Sequence, residues 1–216
     1  MDGKFIVFEG DEGCGKTTQI ERTSQWLSAQ NTADAPMVTL TREPGGTQLG
    51  SALRQVLLES QTSEPLQDRA ELLLYAADRA QHVHRVLKPQ LDKGGIVLCD
   101  RYIDSTIAYQ GYGRGLSLEL IVQINYIATD GLTGDLTLWL DVAPEIALAR
   151  AKRRGNCNRM EEEDLTFHRR VQQGYAALAR AYPQRIARID ASASEDDVQT
   201  QIQTVLAERF PEWLGN

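Results

Sequence analysis

The segment Gly10-Asp11-Glu12-Gly13-Cys14-Gly15-Lys16-Thr17 matches G-x-x-x-x-G-K-[ST], a spacing that makes a cradle for phosphate. Glycines so placed let successive backbone N–H groups turn inward on an anion, and a helix opening at the loop's end adds positive potential. Lys16 is positioned to reach the β- and γ-phosphates of ATP, and Thr17 to put its hydroxyl on Mg²⁺; Thr18 continues the ATP-binding stretch. An apolar run precedes the segment and an amphipathic one follows, the strand-to-helix context that the pattern requires. Beside Lys16 at a helix N-terminus, the Cys14 thiol is expected to carry some thiolate character.

Three other clusters fit the same chemistry. In Cys99-Asp100-Arg101-Tyr102, at the end of an apolar run, Asp100 is suited to hold Mg²⁺ through water, and Arg101 offers a planar fork to an acceptor phosphate. Thr41 to Thr47 (TREPGGT) reads as a tight turn that brings Arg42 toward the same crevice, with Thr47 as a helix N-cap. Arg150, Arg153 and Arg154 share one helix face, with Arg159 beyond. Cations at a helix C-terminus stabilise it without any catalytic role. Yet the P-loop carries Asp11 and Glu12 and a single cation, Lys16, and a migrating phosphoryl group needs more positive charge. Arg153, Arg154 and Arg159 are the nearest supply, on a lid of about residues 150–163 that holds Gly155, Asn156 and Asn158.

Positioning these groups takes an alternation of short apolar runs and longer amphipathic ones. Lys4–Glu9, Met37–Arg42, Gly95–Asp100, Leu136–Val142 and Arg185–Asp190 read as strands, most of them too uniformly apolar for a sheet with one wet face. Lys16–Gln30, Thr47–Ser60, Pro65–Lys93, Ser117–Asp130, Pro144–Arg154, Asp164–Tyr182 and Ser194–Phe210 read as helices. Leu66, Ala70, Leu73, Leu74 and Ala77 follow the rhythm of a buried helical stripe. Pro65 and Pro144 suit a first helical turn. The expectation is a doubly wound α/β fold, a parallel five-stranded sheet with helices on both faces and ligands at the carboxyl ends of the strands. With no repeat or linker, residues 1–216 read as one domain.

Bulk properties narrow the partners. A net charge of −7 disfavours nucleic acid and anionic membrane surfaces, so an anionic substrate must be met by local clusters of cations. No apolar run approaches the ~20 residues of a membrane span, and no secretory signal opens the chain, so a cytoplasmic enzyme is expected. Cys14, Cys99 and Cys157 are odd in number and scattered, which fits neither a disulfide framework nor a zinc site.

Taken together, FEGDEGCGKTT, TREPGGTQLG, LLLYAADRAQH, DRYIDSTIAYQG and LTLWLDV resemble the bacterial-type thymidylate kinase family, over nearly the whole chain. The resemblance implies the P-loop nucleoside-monophosphate-kinase fold, a homodimer, and transfer of the ATP γ-phosphoryl group to thymidine monophosphate with Mg²⁺. It places Glu12 near the sugar 3′-hydroxyl and the reacting phosphates, and makes Arg42 and Arg101 ligands of the acceptor phosphate. It puts Tyr75 against the thymine ring, Arg79 in hydrogen bonding to the base, Ser105, Thr106 and Gln110 at base-contacting positions, and Tyr109 against the deoxyribose. The basic stretch matches the lid of members whose P-loop lacks an arginine. Two positions depart from the common pattern: Cys14, where alanine is usual, and Tyr75, where phenylalanine is common.

Other residues read as structural: His82 and His84, the isolated His168, and Trp26, Trp139 and Trp213. The glycine-rich run at 111–115 lacks a strand before it and makes a weak phosphate site. A deoxynucleoside kinase or another nucleoside-monophosphate kinase is the enzymatic rival, and Arg42 with Arg101 favours an acceptor that already carries phosphate. A GTPase-type switch would carry N-K-x-D, which does not occur in the chain. A catalytically dead P-loop scaffold is opposed by the survival of Lys16, Thr17, Asp100 and the lid cations.

Overall fold

The structure, a computed structural model, describes residues 3–29, 37–59, 64–155 and 158–213. Cys157, Asn156 and the expected helix ends at Gln30 and Ser60 lie outside them. Five strands form one parallel sheet: β1 (Lys4–Glu9), β2 (Val38–Arg42), β3 (Ile96–Asp100), β4 (Leu136–Asp141) and β5 (Ile186–Asp190), in the order β2-β3-β1-β4-β5. Each strand falls within one residue of its expected span. Side chains alternate across the sheet, and both faces are covered. Ile6 and Phe8 of β1 enter one cluster with Ile20, Leu27, Val198 and Ile202, whereas Phe5 and Val7 enter another with Val83, Leu87 and Tyr102. Trp139 joins a third cluster, stacked on Tyr175.

The helices are α1 (Lys16–Ala29), α2 (Gln48–Leu58), α3 (Asp68–His82), α4 (Lys88–Leu91), α5 (Ile103–Thr106), α6 (Leu118–Thr129), α7 (Pro144–Arg154), α8 (Leu165–Ala181) and α9 (Glu195–Arg209). Four are capped by side chains that accept from a backbone N–H three residues on: Thr47 for α2, Ser117 for α6, Asp164 for α8 and Ser194 for α9. Two π-helical stretches, Val83–Leu87 and Ile107–Gly113, extend α3 and α5. No helix among the described residues is long and apolar enough to cross a membrane.

Three expectations need correction. Helix α3 starts at Asp68 rather than Pro65, because Gln67 before it is extended. Its apolar stripe is also inverted: Ala70, Leu73 and Ala77 are exposed, while Glu71, Leu72, Asp78, Arg79 and His82 are buried. This helix turns its polar side inward, toward the site. The segment 103–113, absent from the expected helices, is helical, and its glycines serve contact: a Cβ on Gly113 would stand 2.7 Å from the Phe167 ring.

Candidate active site

The parallel register lines up the carboxyl ends of the three strands that carry the predicted chemistry. Asp100 of β3 pairs with Arg42 of β2 on one side and with Phe8 of β1 on the other, so the P-loop, Arg42 and Asp100-Arg101 emerge side by side. Strand β1 is central, and sheet order reverses around it, where open α/β sheets bind ligands. A cavity of about 1010 Å³ opens there. All the sequence-predicted site residues line it except Gly10, Asp11 and Arg159.

The P-loop leaves β1 at Gly10 and enters α1 at Lys16. Its Gly13 has φ 74° and packs so closely on α7 that a Cβ would stand 2.2 Å from the Ala147 carbonyl oxygen. The Lys16 ammonium is buried and donates to the Gly10 and Asp11 carbonyls at 3.2 and 2.9 Å. Cys14 does not meet its expectation. Its side chain is 2% exposed among the core residues, and burial pushes the thiol up despite Lys16, so it is a packing residue with a suppressed thiolate.

Arg101, at φ 73°, carries the densest set of bonds. Its Nη2 donates to Glu12 Oε1 at 2.7 Å and to the Tyr109 hydroxyl at 3.1 Å, and its Nη1 donates to the Gly10 carbonyl and to Ser105 Oγ. Burial opposes ionisation of Glu12, yet the Arg101 and Lys16 charges outweigh it and hold the carboxyl down at about 2. Beneath Arg101 lies Glu9, fully buried, accepting from the Tyr102 amide, from the Ser105 amide and hydroxyl, and from the Tyr175 hydroxyl.

Tyr75 and Arg79, one helical turn apart on α3, also line the cavity. Arg79 is neither a surface residue nor paired with its neighbours Asp78 or Glu71. It is 2% exposed; Nε donates to Glu43 at 2.8 Å, Nη1 to Thr106 and Asn125, and Nη2 to the Tyr102 carbonyl. A guanidinium has five N–H groups, so one on Nη2 remains. Gln110 is set by its bond to Glu71 at 2.7 Å.

Among the lid cations, Arg150, Arg153 and Arg154 line the cavity, with Arg154 paired to Glu161. Arg159 departs from its expected place. Its Nε donates to the Leu57 carbonyl and its Nη2 to Glu71, which roots the lid on α2 and α3 instead of facing the phosphates. Sequence reasoning missed Arg54, which lines the cavity from α2 and donates to the Pro44 carbonyl at 3.0 Å. It also missed Glu9, Glu43 and Asn125, which hold the arginines from behind. Glu9 and Glu43 lie inside the segments FEGDEGCGKTT and TREPGGTQLG, but nothing in the sequence marks them as partners of the arginines. His168 is not isolated either, since its Nδ1 lies 2.9 Å from both Asp11 carboxylate oxygens.

The residues present suit a divalent cation. Asp100 Oδ1 is buried without a hydrogen-bond partner among the described residues, and both Asp100 and Thr17 line the cavity. The described residues contain no group of three or more His, Cys, Asp or Glu side chains able to hold a metal. One carboxylate and one hydroxyl fit an ion that takes its other oxygens from phosphate and water, as Mg²⁺ does.

Comparison with known proteins agrees with this geometry. Residues 8–202 match the family model described as "Thymidylate kinase". The chain is 57% identical to a thymidylate kinase of Trichodesmium erythraeum, over 99% of each chain, and 57% identical to one of Nostoc punctiforme, over 95% of this chain and 96% of that one. A crystal structure of thymidylate kinase from Ehrlichia chaffeensis superposes with a TM-score of 0.78 at 34% identity, covering 95% of this chain and all of that one. By sequence, by fold and by the groups gathered at its strand ends, the chain belongs to the thymidylate kinase family.

Proposed function

We propose that this protein transfers the γ-phosphoryl group of ATP to thymidine 5′-monophosphate, giving thymidine diphosphate and ADP for dTTP supply in the cytoplasm. The observation that carries the reading is one cavity lined by the P-loop lysine, by Arg42 and Arg101, and by an aromatic–guanidinium pair, Tyr75 and Arg79. In this reading the P-loop amides and Lys16 hold the ATP phosphates. Thr17 and Asp100 hold Mg²⁺, which neutralises charge developing on the transferred group. Arg42 and Arg101 grip the acceptor phosphate, and Glu12, fixed on Arg101, faces the sugar. Tyr75 stacks on the base, the remaining Arg79 N–H meets its C4 carbonyl, and Ser105, Thr106, Gln110 and Tyr109 complete the acceptor pocket. Arg153 and Arg154 close over the phosphates, where positive charge strengthens as the transition state forms.

The reading extends to a homodimer. Helix α3 turns Ala70, Leu73 and Ala77 outward, and the neighbouring α6 exposes Val122, Tyr126 and Ile127, the last at 79%. An apolar face of this kind suits a second copy of the chain.

Competition assays with ATP·Mg²⁺ test the assignment. Thymidine monophosphate is expected to exceed deoxycytidine monophosphate in kcat/KM by ~10- to 100-fold, because cytosine offers Arg79 a donor where it needs an acceptor. Arg79→Ala should erode that ratio. A wild-type preference for the cytosine nucleotide, or for an unphosphorylated nucleoside, would overturn the substrate.

A further inference from the structure

We propose that His168 is a positioning residue for phosphoryl transfer, acting through Asp11 to hold Tyr109, Arg101 and Glu12 where the two substrates meet. The proposal rests on the function proposed above and deepens it. His168 lies in the first turn of α8, wholly buried, with its ring edge-on to Phe167. A carboxylate only accepts hydrogen bonds, so the proton sits on Nδ1, 2.9 Å from both Asp11 oxygens. Asp11 belongs to the P-loop but does not line the cavity. Its Oδ1 also receives the Glu12 backbone N–H at 2.8 Å and the Tyr109 hydroxyl at 3.0 Å.

Those contacts close a ring. Tyr109 donates to Asp11 and accepts from Arg101 Nη2, the same nitrogen donates to the Glu12 carboxylate, and the Glu12 amide returns to Asp11. Glu12, Arg101 and Tyr109 line the cavity; Asp11 is the member behind the wall, and His168 buttresses it. Without the imidazole, Asp11 would keep only the Tyr109 hydroxyl and one amide in a buried site, and a carboxylate short of donors there moves toward other partners. That movement displaces the acceptor that aims Tyr109, and with it the setting of the Arg101 fork. The other ring nitrogen, Nε2, is buried with no partner, a penalty that a phenylalanine would not incur. Packing alone therefore favours an apolar ring here, and the Nδ1–H bond is what the imidazole supplies.

Steady-state kinetics with each substrate varied, on wild type, His168→Phe, His168→Asn and Asp11→Asn, test the proposal. Phenylalanine keeps the ring's bulk and loses the donor; asparagine returns an amide N–H near the place of Nδ1. His168→Phe is expected to lower kcat/KM for thymidine monophosphate about 10-fold or more while KM for ATP stays within about 2-fold, and His168→Asn to recover most of the loss. Asp11→Asn should reproduce the pattern, and adding His168→Phe to it should cost nothing further. A His168→Phe enzyme with normal thymidylate kinetics, however far its melting temperature falls, would reduce His168 to a structural clamp. An asparagine variant no better than phenylalanine, equal changes toward both substrates, or additivity with Asp11→Asn would overturn the proposal as well. Should His168→Phe fail to fold, Asp11→Asn decides alone, and normal thymidylate kinetics in it would overturn the proposal. A wild type inactive on thymidine monophosphate would instead overturn the functional reading, and this proposal with it.

Discussion

Glu9 ends β1 in a place without water, and the cost of ionising it there sets a pH dependence on the whole fold. Burial pushes its carboxyl from 4.5 up to about 7, with Asp104 adding to the shift and Arg101 and the Ser105 and Tyr102 bonds opposing it. Between those two pH values the native state keeps a proton that the unfolded chain releases, so stability falls as pH rises through the window. Its share is about 3 kcal/mol across 2.5 pH units. Asp78, raised by burial and Glu43 to about 6, acts in the same direction. Glu12 has the opposite sign: its depressed pKa adds stability above 4.5, lost as pH falls toward 2. Urea midpoints at pH 5, 6 and 7 should decline in wild type, and Glu9→Gln should flatten the decline; an unaltered slope would mean that Glu9 ionises normally. For Lys16→Ala we expect a fall in kcat of ~10²-fold or more with the fold retained, since no other P-loop cation meets charge building between the β- and γ-phosphates. Single-turnover assays alongside circular dichroism check it, and a well-folded variant with near-normal kcat would remove Lys16 from the chemistry. Of these residues Lys16 was legible from sequence because it sits in a contiguous motif. Glu9 was not, because nothing in a strand-ending glutamate announces that Ser105 and Tyr175 will close over it.

At the level of elements, the crossing of α8 over the segment 107–113 fixes the acceptor side of the cavity. One close approach is at Gly174, where a Cβ would stand 3.0 Å from the Ala108 Cα and from the Tyr112 ring. Gly174→Ala must part the two helices or bend one, at a cost of about 1–3 kcal/mol. Calorimetry should show a melting temperature lower by about 2–4 °C for each kcal/mol, and an unchanged value would mean that the crossing has slack. Strands were legible almost to the residue because a parallel sheet covered on both sides demands uninterrupted apolar runs, as in FIVF and IVLC. The segment 103–113 was not: Gly111 and Gly113 are poor helix formers, and only their contacts with Leu118 and Phe167 show why a helix keeps them. Helix α3 misled for a different reason. Its periodicity was real, but periodicity does not say which side faces in, and here the inward side is polar because the cavity needs Glu71 and Arg79.

For the molecule as a whole, the outward stripe of α3 and the exposed side chains of α6 make a face that monomers rarely leave open. Sedimentation of wild type is expected to give a dimer. Adding two charges per copy with Tyr126→Asp and Ile127→Asp should shift it to monomer with the fold intact, and a persisting dimer would place the interface elsewhere. The cavity has a consequence for how ligands reach it. Arg42, Arg54, Arg101, Arg150, Arg153 and Arg154 line one opening in a chain whose net charge is −7. A nucleotide is therefore repelled by most of the surface and attracted only at the mouth. At 0.1 M ionic strength the Debye length is about 10 Å, so salt mutes the distant repulsion and reaches the half-buried Arg54, Arg101 and Arg150 less than the exposed Arg42, Arg153 and Arg154. Capture by a uniformly basic enzyme slows steeply as salt is added; stopped-flow association here should hold level or quicken between 10 and 100 mM, roughly one decade of salt. The acidic exterior turns most approaching anions away, and the arginines select among those that arrive at the opening.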